Sequence, residues 1–151
     1  MRDCNPVFLA QSDTTAGFLC KDDKRLNQLK GRNLAQNIIL TIDNFKKLQS
    51  FVRIPKKYKR EVRRLKQTTF IVRNKSYTQN LAVRVARGQH REFLSFFDGL
   101  YSTSANRHKQ KFSLEFALTY ADFVVLDKRG LKEDKSSMIY KVGNYKKKRI
   151  R

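Results

Sequence analysis

Three short stretches of this chain carry side chains suited to holding a charged or polar ligand. Ser12-Asp13-Thr14-Thr15-Ala16-Gly17 gathers small hydroxyls and a glycine directly after an apolar run, and such a turn lets backbone groups approach a ligand closely. The same letters also describe a strand-to-helix turn capped by Ser or Asp. Lys30-Gly31-Arg32 offers two cations two positions apart. In an extended segment both point to one side and can converge on a single phosphate chain. At a helix end the same residues form a C-terminal cap, with Gly31 past the last turn and the cations at the negative end of the dipole. In Ser102-Thr103-Ser104-Ala105-Asn106 the alternate spacing recurs with neutral groups at Ser104 and Asn106, and in isolation this stretch reads as a turn.

Other chemistries find little support. There is no Walker-type phosphate loop, no HExxH metal motif and no GxSxG nucleophile turn. His90 and His108 are the only histidines, each near arginines, and both read as solvated surface residues. The 13 acidic residues are scattered, so no all-protein metal cage is expected and any Mg²⁺ arrives on a nucleotide. Cys4 and Cys20 have no zinc-type spacing and read as reduced core thiols.

The elements that must position these residues follow from hydrophobic periodicity. Short runs rich in β-branched and aromatic residues predict strands at Val7–Leu9, Ile38–Ile42, Thr69–Arg73, Leu81–Val85, Tyr101–Thr103, Phe123–Leu126 and Met138–Val142. Helical spacing predicts a helix through Leu26 and Leu29 capped by Asp22 or Asp23. It predicts two more, through Phe45 and Leu48 capped by Asp43 and through Phe116 and Tyr120 capped by Ser113. After Pro55, Tyr58, Val62 and Leu65 form one apolar stripe on a helix whose remaining faces are basic. Strands alternating with helices imply an α/β or α+β layered domain with a mixed sheet. With 151 residues, 40% of them hydrophobic, one domain spanning 1–151 is expected. No apolar run suits a signal peptide or a membrane span, so a cytoplasmic protein is expected.

Charge narrows the partner. Lys and Arg number 34 against 13 Asp and Glu, a net charge of +21, which points to an anionic partner. Between Arg53 and Arg91 thirteen cations face the single acid Glu61. Lys56, Lys59, Arg60, Arg63 and Arg64 on the basic helix, with Lys146, Lys147 and Lys148 in the terminal tract, are candidates for binding the phosphates of tRNA or double-stranded RNA. Tyr58 and Tyr77 interleave with these charges, but no RNP or KH signature accompanies them. A solvated basic face is the alternative.

Taken in order, the three stretches resemble the YrdC-like family of threonylcarbamoyl-AMP synthases. Its opening PTDTxYGL is similar to Gln11-Ser12-Asp13-Thr14-Thr15-Ala16-Gly17-Phe18, its KxR to Lys30 and Arg32, and its TSAN to Thr103-Ser104-Ala105-Asn106. Weaker likeness continues in Thr68-Thr69-Phe70, Val83-Arg84-Val85, Ser137-Met138-Ile139 and Ile150-Arg151. The resemblance implies a twisted mixed sheet flanked by helices around a basic cavity that takes ATP and L-threonine. By the family's pattern, ATP falls to Lys30, Arg32, Ser104, Asn106, Ser137 and Arg151, and threonine to Ser12, Thr14, Thr15 and Arg84. The implied reaction joins threonine, bicarbonate or CO₂ and ATP into threonylcarbamoyl-AMP for the t6A modification of tRNA, with tRNA-modifying proteins as further partners.

The chain departs from the pattern at Gln11 and Ala16, where the family has Pro and an enclosing Tyr. It departs again at Asn33–Asn37, which lacks the family's Lys, and at Arg64-Leu65-Lys66-Gln67, which replaces Trp-Pro-Gly-Pro. Two readings therefore stand. One is a divergent synthase; the other is a non-catalytic YrdC-like module that keeps an RNA-binding surface.

Overall fold

A computed structural model describes residues 5–76 and 79–151, so Cys4 and Tyr77 lie outside the described residues. Ten strands form one mixed sheet: β1 (Phe8–Gln11), β2 (Ala16–Cys20), β3 (Ile39–Ile42), β4 (Val52–Arg53), β5 (Thr68–Asn74), β6 (Asn80–Val85), β7 (Leu100–Ser104), β8 (Phe123–Val125), β9 (Met138–Val142) and β10 (Lys147–Arg149). Their order is β10-β9-β5-β6-β3-β7-β2-β1-β8, and β4 pairs with the end of β5. Five short helices pack on it: α1 (Asp23–Leu29), α2 (Phe45–Phe51), α3 (Lys59–Arg64), α4 (Gly88–Leu94) and α5 (Leu114–Tyr120). The expected mixed α/β sheet is thus present.

Alternation along the central strands separates core from cavity. In β3, β5 and β6, Leu40, Ile42, Phe70, Val72 and Val83 face a core closed by Leu48 of α2 and Val62 of α3. Their neighbours Ile39, Thr41, Thr69, Ile71, Ala82 and Arg84 face the other way and line a cavity. Across β1, β2 and β7 the sheet is covered on both sides. Phe18 and Cys20 meet α1 and α5, while Leu19 and Leu100 meet Leu94 of α4.

Several expectations needed correction. The hydroxyl-rich stretch turns between two antiparallel strands, Gln11 opposite Ala16, which removes the alternative reading of a capped strand-to-helix turn. The cap of α2 is Asn44, whose side chain accepts from the Lys47 N–H at 2.9 Å, while Asp43 forms an ion pair with Lys47 at 3.0 Å. The segment after Pro55 begins as a 3₁₀ turn, Lys56–Tyr58, and continues into α3. Tyr58 and Val62 are buried, but Leu65 falls beyond the last turn and is exposed. The basic terminal tract contains a strand that no sequence pattern marked, Lys147–Arg149, which pairs antiparallel with β9. His90 lies in α4 and is buried rather than solvated.

The end of α1 decides how Lys30 and Arg32 are presented. Asp22 starts the helix by accepting from the Lys24 N–H at 3.0 Å. The helix stops at Lys30, and Gly31 takes the left-handed conformation with φ +66°. The Gly31 N–H reaches Gln28 O at 3.0 Å and the Arg32 N–H reaches Asn27 O at 3.1 Å, the hydrogen bonds of a Schellman motif. The two cations therefore flank a helix cap instead of alternating along a strand. A Cβ at Gly31 would meet nothing within 4 Å, so Gly31→Ala should cost only the backbone term, about 1–2 kcal/mol. Urea denaturation checks this, and an unchanged midpoint would contradict it.

Candidate functional site

Lys30 crosses from the end of α1 to the end of β7. Its ammonium donates to Ser104 O at 2.8 Å, Ser104 Oγ at 3.3 Å and Asn106 Oδ1 at 3.0 Å. All three protons are used, and every acceptor is neutral. Burial, with Arg32 nearby, lowers the Lys30 pKa to about 8. Beyond the cap, Arg32 donates Nε–H to Asn27 Oδ1 at 2.7 Å and Nη2–H to Thr103 Oγ1 at 3.1 Å. Asn27 is itself held by Leu34 O and Gln36 O. The KxR and TSAN stretches thus meet across more than seventy residues.

Their meeting depends on Gly17. It lies opposite Ser104 in the β2–β7 pair, where an added Cβ would come within 3.0 Å of Thr103 O. The side chain of the preceding Ala16 packs in the core with Phe18 and Cys20. Position 16 therefore faces away from the cavity in this chain.

The opening turn is held from three sides. Ser12 Oγ accepts from the Thr14 N–H at 3.1 Å and donates to Thr15 O at 2.6 Å. Gln11 Nε2 donates to Thr14 O at 2.8 Å, and Gln11 Oε1 accepts from the Lys132 N–H at 2.9 Å. Arg129, paired with Asp127 at 2.6 Å, donates to Gln11 O at 2.9 Å and Ser12 O at 3.2 Å. Gln11 thus cross-links the turn at the position where the family pattern has proline.

Arg84 reaches the same turn from β6. Its Nη1–H donates to Thr14 Oγ1 at 3.2 Å and its Nη2–H to Thr69 Oγ1 at 2.9 Å, while Thr69 and Ser137 share a hydroxyl hydrogen bond of 2.9 Å. Burial lowers the Arg84 pKa, and Asp13 works against that shift. Asp13 is itself raised by burial, although its carboxylate accepts from the Arg87 N–H at 3.1 Å. His90 lies close enough to feel Arg129 and Arg84, and burial first and those cations second lower its pKa to about 4. It remains neutral.

These groups enclose a cavity of about 420 Å³ lined by Ser12, Thr14, Thr15, Arg32, Arg84, Ser104, Ser137 and Arg151, among others. No Asp or Glu side chain is among its lining residues. Lys30 and Asn106 stand behind Ser104 rather than in the lining, which corrects the picture of Lys30 and Arg32 side by side on one phosphate chain. Three arginines with neutral hydroxyls suit an anion together with a small polar molecule. Among the described residues no three His, Cys, Asp or Glu lie together as a metal site.

The candidate RNA-contacting residues lie elsewhere. Lys56, Lys59, Arg60, Arg63 and Arg64 are exposed on the 3₁₀ turn and α3. The β10 end comes alongside, because Lys147 forms an ion pair with Glu61 of α3 and Lys57 donates to Tyr145 O. Lys147 also lies 5.0 Å from the centre of the Tyr140 ring, so its charge is already engaged. Lys146 and Lys148 are exposed.

The Sua5/YciO/YrdC family model, described as telomere recombination, matches residues 7–151. The chain belongs to the Sua5/YciO/YrdC family. No curated protein matches the sequence. Among solved structures, Sua5 of P. abyssi complexed with L-threonine superposes with a TM-score of 0.81 at 15% identity, covering 97% of this chain and 50% of that one. E. coli YciO gives 0.79 at 14%, with 97% and 82% covered. Full-length HypF in its phosphate- and nucleotide-bound form gives 0.78 at 14%, with 97% and 26% covered. The family member described here thus spans half the length of that Sua5 and about a quarter of HypF, and at these identities the likeness is one of fold.

Sequence reasoning missed Gln11 as a clamp, Arg129 and Asn27. A glutamine at a proline position carries no signal of its own, and Arg129 is separated from the turn it holds by more than a hundred residues.

Lys30 supplies a pH test. Its ordinary value is 10.5, so between about pH 8 and 10.5 the unfolded chain keeps a proton that the folded chain has released. Stability contributed by this group therefore rises with pH across that window. Comparing thermal denaturation of wild type with Lys30→Met from pH 7.5 to 10 isolates it. Wild type should gain relative to the variant as pH rises; a relative loss would contradict the buried, neutral-partnered ammonium.

Proposed function

We propose that this family member is a threonylcarbamoyl-AMP synthase acting in tRNA t6A modification. The observation that carries the proposal is the tie of Lys30 to Ser104 and Asn106 beside a cavity lined by Arg32, Arg84 and Arg151 and by no Asp or Glu side chain. The threonine complex of P. abyssi Sua5 and the nucleotide-bound HypF support the choice of ligands.

In this reading Arg32, Ser104, Ser137 and Arg151 contact ATP, and Lys30 and Asn106 act close behind Ser104. Ser12, Thr14, Thr15 and Arg84 hold L-threonine, with the guanidinium suited to its carboxylate. The threonine amine adds to CO₂, giving a carbamate and releasing a proton. A carbamate oxygen attacks the α-phosphorus of ATP, the bond to the α,β-bridging oxygen breaks, and pyrophosphate leaves with that electron pair. Mg²⁺ travels with the nucleotide. Such chemistry depends on holding two anions in line and stabilising charge on the phosphates, more than on a general base. His90, neutral and buried, is given no part.

The measurement is pyrophosphate release from ATP with and without threonine and bicarbonate. Release that requires both is expected, and release indifferent to them contradicts the assignment. Arg32→Ala should weaken ATP binding more than tenfold, about 1.4 kcal/mol or above, since a charge-assisted contact is typically worth about 1.5–3 kcal/mol, and Lys30→Ala should weaken it as well by releasing Ser104.

A second reading, a non-catalytic RNA-binding module, draws on the exposed cations of α3. RNA contact on α3 is compatible with catalysis in the cavity, so only the presence of turnover separates the two readings. Reversing Arg60, Arg63 and Arg64 to Glu should lower tRNA affinity and its salt dependence while leaving pyrophosphate release intact. Unchanged tRNA binding would return α3 to the status of a solvated face.

A further inference from the structure

We infer that the edge formed by β4 and the end of β5 is a docking cleft for the sugar–phosphate backbone of an RNA helix. The inference rests on the reading of this protein as one that meets RNA, and it assigns the contact to residues that reading does not include, chiefly Arg53, Arg73 and Lys75.

The starting observation is an opposed pair of like charges. β4 is only Val52–Arg53, and in its antiparallel pairing Arg53 stands directly opposite Arg73. Like charges facing each other across a strand pair are unfavourable. Neither side chain has a hydrogen bond or ion pair with the described residues, and both are exposed. The ion pairs among the described residues are made instead by Arg25, Lys47, Arg129 and Lys147. The cations of the ligand cavity differ again, because Lys30, Arg32 and Arg84 are each tied into neutral acceptors.

Two clefts of about 660 and 600 Å³ open at this edge, and Arg53, Ile54, Lys59 and Arg73 line both. The first adds Asn74 and Lys75, the second Lys56 and Asn144. Five cations and no carboxylate therefore line the two clefts together. The occupant must be anionic at several points along its length. No aromatic ring lines either cleft, so the stacking that holds splayed single-stranded bases is missing from it. Cations for phosphates and asparagine amides for 2′-hydroxyls match the outside of an RNA helix.

Arg53 and Arg73 also share a sheet face with the ligand cavity. Alternation along β5 puts Arg73 on the face that carries Thr69 and Ile71 into that cavity, and four residues of strand place Arg73 about 13 Å from Thr69. An RNA helix seated on Arg53 and Arg73 therefore lies on the cavity side of β5.

The test is anisotropy titration of a fluorescein-labelled 20-base-pair RNA duplex at two salt concentrations, using wild type, Arg53→Gln/Arg73→Gln, and the Arg60, Arg63 and Arg64 charge-reversal variant. The double Gln variant should bind at least tenfold more weakly at low salt and with a shallower salt slope, by about one or two in log–log terms. Its melting temperature should hold or rise, because a like-charge contact has been removed, and its pyrophosphate release should be that of wild type. A fall in melting temperature would mark the arginine pair as structural and overturn the proposal. Wild-type binding that survives in the double Gln variant overturns the cleft while leaving RNA contact at α3. No RNA binding by wild type overturns both. Poly-L-glutamate of matched charge serves as the competing class, and displacement of RNA at equal charge concentration would make this a site for acidic polypeptides instead.

Discussion

A buried lysine whose only partners are neutral organises this molecule. The Lys30 ammonium is held by one backbone carbonyl, one hydroxyl and one amide oxygen, so its protons are satisfied while its charge is left without a counter-ion. Hydrogen bonding of that kind fixes position, and burial makes the uncompensated charge costly. Such an arrangement leaves the site short of negative charge, as do Arg32 and Arg84, which also reach hydroxyl or amide acceptors in place of carboxylates. An anion bound there would supply what the fold withholds.

The rest of the fold can be understood as what holds that tie in register. The Schellman cap with left-handed Gly31 aims Lys30 inward and turns Arg32 back toward β7. Gly17 allows β2 and β7 to approach closely where Ser104 lies. On the opposite side, Gln11 and Arg129 clamp the Ser12–Thr15 turn against Arg84. Loops that bear function are positioned by rigid neighbours, and here the rigidity comes from side chains bonded to backbone carbonyls far away in sequence.

Much of this was legible in the residues and part was not. Asp22 and Ser113 announced their helices because capping is local chemistry. The sheet strands with alternating patterns were also legible, as was the pairing of KxR with TSAN through resemblance to the family. β2 was missed since all of Ala16–Cys20 is buried, which erases the alternation that identifies a strand. α4 was missed because it opens on glycine with no side-chain cap. β10 escaped because four consecutive cations look like a solvated tail, whereas strand pairing is made by backbone groups. Placing Leu65 on the apolar stripe failed because the helix ends at Arg64. The opposed Arg53 and Arg73 needed the register of a two-residue strand, which no local pattern reveals.

The central claim is that Asn106 acts on the ligand through Lys30. A double-mutant cycle on ATP affinity tests it most directly, using wild type, Lys30→Ala, Asn106→Ala and the double variant in titration calorimetry. Residues in one hydrogen-bonded unit show non-additive losses. Asn106→Ala should weaken binding in wild type and change it little once Lys30 is gone. Additive losses, or no loss from Asn106→Ala in wild type, would contradict a site organised around the buried ammonium.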